Sequence, residues 1–95
     1  DAGDEEIFTD LEMNLDQNFP NPFVEETTIR FSLPEAGEAT ISILDLHGRV
    51  LTDITREFAA GPNTVTLDGN KFISGVFVYT LTYKGERLTR SMIRR

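Results

Sequence analysis

The 95-residue chain is sized for one domain plus a tail, since domains usually run to about 100–150 residues. It has no cysteine and no tryptophan, which excludes a disulfide framework and a thiolate metal site but leaves the redox compartment open. No run approaches the roughly 18 apolar residues of a membrane-spanning helix, and no basic-then-apolar leader stands at the start.

The net charge of −7 is informative once it is located. Residues 1–17 hold seven acids and no base, whereas residues 18–95 hold nine of each. A neutral body behind an acidic leader reads as a solvated linker, 1–17, joined to a domain, 18–95. The first residue is Asp1 rather than methionine, which suggests a processed product or a piece of something longer, and both suit an accessory domain. In the linker, Ile7, Phe8, Leu11, Met13 and Leu15 fit neither a clean helix nor a sustained strand, so this stretch is expected to dock loosely at most.

The composition changes at Asn18-Phe19-Pro20-Asn21-Pro22-Phe23. The two prolines favour extended geometry at Phe19 and Asn21, and two aromatic rings are offered as anchors. Next, Thr28–Leu33 alternates polar and apolar, so Ile29, Phe31 and Leu33 share a face. Pro34-Glu35-Ala36-Gly37 turns the chain into Ala39–Leu44, with Ala39, Ile41 and Ile43 on one side. Asp45-Leu46-His47-Gly48 places an acid first and glycine fourth, a hairpin turn into Arg49–Ile54.

A short loop is expected around Gly61-Pro62-Asn63, ahead of a strand at Thr64–Asp68. The most apolar stretch, Gly75–Tyr83, reads as a central strand with Phe77, Tyr79, Leu81 and Tyr83 on one face. Lys84-Gly85 then turns the chain into Glu86–Ile93. Six strands at spacings of about 8–12 residues, with a seventh near Phe19–Phe23 or Phe58, make an all-β, immunoglobulin-like antiparallel sandwich of about seven strands.

The chemistry-bearing residues point away from catalysis, and the chain is read as a non-enzyme without a cofactor. His47 is the single histidine and sits in a turn, so neither a triad nor a multi-histidine metal site can be assembled. Asp45 and Asp68 read as turn caps, with calcium the competing reading. No glycine-rich run leads from a strand into a helix, as phosphate cradling requires. A neutral body with core-spaced aromatics disfavours nucleic acid. Residues 87–95 carry Arg87, Arg90, Arg94 and Arg95 and no acid. That is either a charged edge strand guarding against aggregation or a recognition element.

Five motifs occur in order. Asn18-Phe19-Pro20-Asn21-Pro22-Phe23 resembles the opening motif of the type A C-terminal sorting domains of the type IX secretion system of Bacteroidota, and Thr27–Pro34 the strand that follows it. Ile43–Val50, with Asp45 and Gly48 at its turn, resembles the central hairpin, Gly61 the next turn, and Ser74–Tyr79 the late glycine-aromatic strand. The resemblance implies a domain that directs a larger cargo protein across the outer membrane and is commonly removed by a surface sortase.

Its partners would be the secretion machinery, the sortase and the cargo within the same precursor, with no nucleic acid and no small-molecule substrate. Its path would run through the periplasm to the cell surface or the medium. The residues implied for recognition by the machinery are Gly75, Tyr79, Arg90, Met92, Ile93, Arg94 and Arg95. Family members often end in a lysine-rich strand, whereas this chain ends Arg90-Ser91-Met92-Ile93-Arg94-Arg95, which keeps the charge and changes the donor geometry. Deleting Met92–Arg95 is expected to abolish export and spare much of the fold. The alternative function is a carbohydrate-binding or adhesive sandwich, and a third reading is a structural spacer between domains.

Overall fold

The computed structural model describes residues 12–95, and the expectations placed on residues 1–11 lie outside it. Seven strands fill the described chain: β1 (Asn14–Leu15), β2 (Glu26–Leu33), β3 (Gly37–Leu44), β4 (Val50–Phe58), β5 (Gly61–Asp68), β6 (Gly75–Tyr83) and β7 (Glu86–Arg94). They form a three-stranded sheet, β1-β2-β5, and a four-stranded sheet, β4-β3-β6-β7. Every strand pair is antiparallel. The architecture is the expected immunoglobulin-like sandwich.

The core follows from the alternation. Along β2, Thr27, Ile29, Phe31 and Leu33 are buried while the intervening residues are half-buried or exposed, because successive side chains point to opposite faces. Ala39, Ile41 and Ile43 do the same on β3, and Phe77, Tyr79, Leu81 and Tyr83 on β6. β6 lies between β3 and β7, as its apolar composition requires.

Three expectations are corrected. The seventh strand is Asn14–Leu15, paired with Phe31–Ser32, and Leu15 is buried in the core. The folded body therefore takes in part of the acidic leader: two residues are enough to lay Leu15 over the sheet, a match too short for periodicity to reveal. Gly61-Pro62-Asn63 begins β5 and does not form a loop. Pro62 is tolerated there because β5 is an edge strand, so a missing N–H can fall on the unpaired side. Finally, β4 runs on to Phe58, whose ring meets Phe31 edge-on at 4.9 Å.

The registers define two poles. At one, Glu26 pairs with Asp68, Leu44 with Val50 and Gly75 with Arg94. This C-terminal pole gathers the β3–β4 turn, the 3-10 turn Gly69–Lys71 and the end of β7. At the other, Leu33 pairs with Gly61, Gly37 with Phe58 and Tyr83 with Glu86. The chain enters the sandwich at this second pole, since Asn14 lies opposite Ser32.

The β3–β4 turn has the predicted chemistry. Asp45 Oδ1 accepts the N–H groups of His47 (2.9 Å) and Arg49 (3.0 Å), and Gly48 adopts φ +83°, a left-handed conformation that glycine reaches without a Cβ penalty. Arg49 Nε closes the turn on Asp45 Oδ2 at 3.0 Å. The Arg49 N–H is the leading cause that holds the Asp45 carboxyl below its usual range; desolvation opposes it, and the His47 N–H and the Arg49 charge add to the lowering.

Candidate recognition site

The opening motif and the last strand, at opposite ends of the sequence, meet along one side of the sandwich. The segment from Leu15 to Phe23 runs between the edge of β2 and the edge of β7. At its centre is Asn18, 2% exposed. Its Nδ2 donates to Thr27 Oγ1 (2.9 Å) and to the Pro20 carbonyl (3.2 Å), and its Oδ1 accepts from Gln17 Nε2 (2.7 Å). The Asn18 N–H donates to the Tyr79 hydroxyl at 2.8 Å. That hydroxyl in turn donates to the Asp16 carbonyl at 2.7 Å. A buried amide costs free energy unless its donors and acceptors are matched, and this node matches them. Burial is the main cause that pushes the Tyr79 hydroxyl pKa above its usual value.

The motif covers the outer edge of β7. Phe23 donates its N–H to the Ile93 carbonyl (3.0 Å) and accepts from the Arg95 N–H (2.9 Å), forming a parallel bridge with Arg94. Asn21 Oδ1 accepts the Ile93 N–H at 2.9 Å, and Gln17 Nε2 donates to the Ser91 carbonyl at 2.7 Å. A sheet edge is a row of unpaired backbone groups, and here the C-terminal half of that row is taken by the motif. The peptide bonds before Pro20 and Pro22 are both cis.

The two aromatic anchors separate. Phe23 is buried (1%) and its ring stands edge-on to Phe72 at 6.5 Å, which stacks onward to Phe77 at 5.5 Å. Phe19, by contrast, is 80% exposed. Its backbone exchanges two hydrogen bonds of 2.9 Å with Thr28, and that pairing turns the ring outward, so it does not serve as an anchor.

Of the seven residues implied for recognition, the structure leaves some at the surface and draws others inside. Gly75 (φ +148°) starts β6 and is exposed; Ile93 and Arg95 are exposed as well. Tyr79 and Met92 are fully buried, so the folded domain does not present them at its surface. Arg90 and Arg94 are tied to the opposite sheet and its following turn. Arg90 Nε donates to the Leu15 carbonyl at 2.5 Å, and Arg94 Nε donates to the Gly69 carbonyl at 2.8 Å. The Arg94 guanidinium also bonds the Arg95 carbonyl.

Sequence reasoning read Asp68 as a turn cap but assigned no role to Gly69, which follows it. A Cβ there would lie 2.1 Å from the Val24 carbonyl oxygen. The absence of a side chain is what lets Gly69 donate its N–H to the Glu25 carbonyl at 2.7 Å while it receives Arg94. Asp68 caps the same turn, its Oδ1 accepting the Asn70 N–H at 2.9 Å. Among the described residues no three His, Cys, Asp or Glu side chains converge as a metal site. Phe19 is also the one exposed aromatic ring among the described residues, against the two or three that a glycan-binding face would present.

An all-β sandwich whose first motif clamps its last strand, with Asp45 and Asp68 committed to turns and Tyr79, Arg90 and Arg94 to bonds across the body, is a folded structural signal module. The family model described as the secretion system C-terminal sorting domain matches residues 17–95, and the chain belongs to that family: it is a type IX secretion C-terminal sorting domain. No curated protein matches the chain, and no solved structure matches it. Membership implies work with the type IX machinery as part of a cargo precursor, and export to the cell surface or the medium.

Proposed function

We propose that the machinery reads this domain as a folded body at its C-terminal pole, through Gly75, Ile93, Arg95 and the outward part of Arg94. Tyr79, Met92 and Arg90 hold that surface in register without touching the partner. The observation that carries this reading is the clamp of the opening motif on β7: the Phe23 backbone and the Asn21 side chain hold the backbones of Ile93 and Arg95 through hydrogen bonds of 2.9–3.0 Å. A strand end held this way is presented as a rigid feature rather than as a fraying terminus.

The domain passes through the periplasm attached to its cargo, and a surface sortase then removes it. The cut falls on the N-terminal side of Asn14, because Asn14 and Leu15 are paired with β2 and would have to leave the sheet to reach a protease. The domain is a substrate in this scheme and contributes no catalytic group.

Fusing residues 1–95 to a periplasmically exported reporter in a type IX-competent host tests the reading. The fusion is expected at the cell surface or in the medium, shortened by about the length of the domain. Retention in the periplasm, with the fusion intact and folded, would refute it.

A further inference from the structure

The segment from Leu15 to Phe23 forms a strap along β7, and the two run the same way. β2 passes from the C-terminal pole at Glu26 to the second pole at Leu33. The strap lies antiparallel to it, with Leu15 opposite Phe31 and Phe19 opposite Thr28, so it travels from the second pole to the C-terminal one. β7 makes the same journey from Glu86 to Arg94, and the bridge between Phe23 and Arg94 is parallel. The ties between strap and strand climb in step: Leu15 with Arg90, Gln17 with Ser91, Asn21 with Ile93, and Phe23 with Ile93 and Arg95.

This direction decides what a pull on the chain does. The backbone reaches Asn14 at the second pole and Arg95 at the C-terminal pole, so tension between them acts along the strands. Strand hydrogen bonds run mainly across that direction, and none is released until strap and β7 slide past each other as a whole. The ties share the load, and Leu15 and Phe23, both buried, must leave the core in the same step. Tension on two neighbouring strand ends at one pole acts across the strands instead, and the ties open one after another. Further bonds brace both loaded segments. The Tyr79 hydroxyl joins the Asp16 carbonyl and the Asn18 N–H of the strap, and Arg94 Nε joins the end of β7 to the Gly69 carbonyl. β4, at the far edge of the sheet, pairs with β3 alone.

We infer that the domain is a load-bearing coupling: it resists tension applied between its N-terminal strap and Arg95, and yields readily to tension across the strands. This resistance belongs to the folded chain and does not depend on the sorting role. Its use rests on the reading above. With cargo on the N-terminal side and the machinery holding the C-terminal pole, the domain transmits the pull without coming apart.

Single-molecule stretching of the full chain tests this. The chain has no cysteine, so two introduced thiols define the axis of pull. Glu12→Cys with a cysteine added after Arg95 loads strap and β7 in shear. Glu12→Cys with Glu86→Cys, both at exposed positions, loads their neighbouring ends at the second pole. Forced unfolding reads the unfolding rate under load, and urea midpoints of the two thiol pairs, expected to coincide, separate the axis of pull from stability. At one loading rate the shear pair should unfold at a force at least about twice that of the peel pair, because bonds of comparable strength break together rather than singly. Asn21→Ala removes a tie at the C-terminal pole and should lower the shear force by about a tenth to a fifth, one bond among several alike. It should leave the peel force unchanged, since peeling starts at Leu15 and Arg90. A peel force equal to or above the shear force would overturn the inference, as would a folded Asn21→Ala variant that lowers both forces alike. The comparison of axes leaves the strap and its ties intact, so it decides the matter even if Asn21→Ala does not fold. No machinery is present in this measurement, so failed export of the reporter fusion would refute the sorting reading and leave these forces standing.

Discussion

Removal of Met92–Arg95 separates a recognition defect from a folding defect, and the structure puts a magnitude on the latter. Met92 is fully buried in the core, and deleting a side chain of that size from a packed site costs about 2–5 kcal/mol. The same four residues supply the bonds of Ile93 and Arg95 to Phe23, of Ile93 to Asn21 and of Arg94 to Gly69. Each contributes about 0.5–1.5 kcal/mol net. Even the low end of both ranges sums to roughly 4 kcal/mol. A folded body of this size is stable by only about 4–13 kcal/mol, so the truncated domain should be largely unfolded or close to it. The expectation that truncation spares the fold is thus reversed, because Met92 lies on the inner face of β7 opposite Phe77. Urea unfolding followed by far-ultraviolet circular dichroism measures this directly. A truncated domain that unfolds cooperatively within about 1 kcal/mol of the parent would refute the reasoning, since core deletion cannot be that small.

The complementary surface variant, Ile93→Ser with Arg95→Ser, should shift stability by no more than about 1 kcal/mol, as exposed substitutions usually do, while export of the reporter fusion falls; normal export would remove these side chains from the recognition surface. Tyr79→Phe leaves the Asp16 carbonyl and the Asn18 N–H without their buried partner and should cost about 1–3 kcal/mol in denaturant unfolding. The raised Tyr79 pKa makes a pH statement as well. Its contribution to stability is complete below the unfolded value near 10.0 and is lost as pH rises through the folded value, because the unfolded chain then gives up the proton more readily. Parent stability should fall above about pH 10 more steeply than that of Tyr79→Phe, as denaturant titrations across that range would report. Gly69→Ala drives a Cβ into the Val24 carbonyl and should destabilise by about 2–4 kcal/mol; a melting temperature unchanged from the parent would contradict the close approach.

The alternation of Ile29-Phe31-Leu33, Ala39-Ile41-Ile43 and Phe77-Tyr79-Leu81-Tyr83 determined by itself that the chain is a sandwich and which faces are inside, since a period of two leaves no other way to bury those side chains. Asp45 and Gly48 likewise declared their hairpin, because turn chemistry is local. The ordered motifs from Asn18 to Arg95 carried the resemblance to the sorting family. What no local pattern could supply is partnership across the sequence: that Asn18 meets Tyr79, 61 residues away, or that Leu15 receives Arg90, 75 residues away. Charge alone cannot tell a free arginine from one whose Nε is spent on a distant carbonyl, and it made Arg90 and Arg94 look like signal when much of their bonding is structural. The structure also divided two equivalent-looking phenylalanines, burying Phe23 and exposing Phe19, because which backbone edge a residue pairs with sets where its side chain points. It laid the opening motif parallel to the last strand, a relation fixed by strand order and register rather than by any segment of sequence.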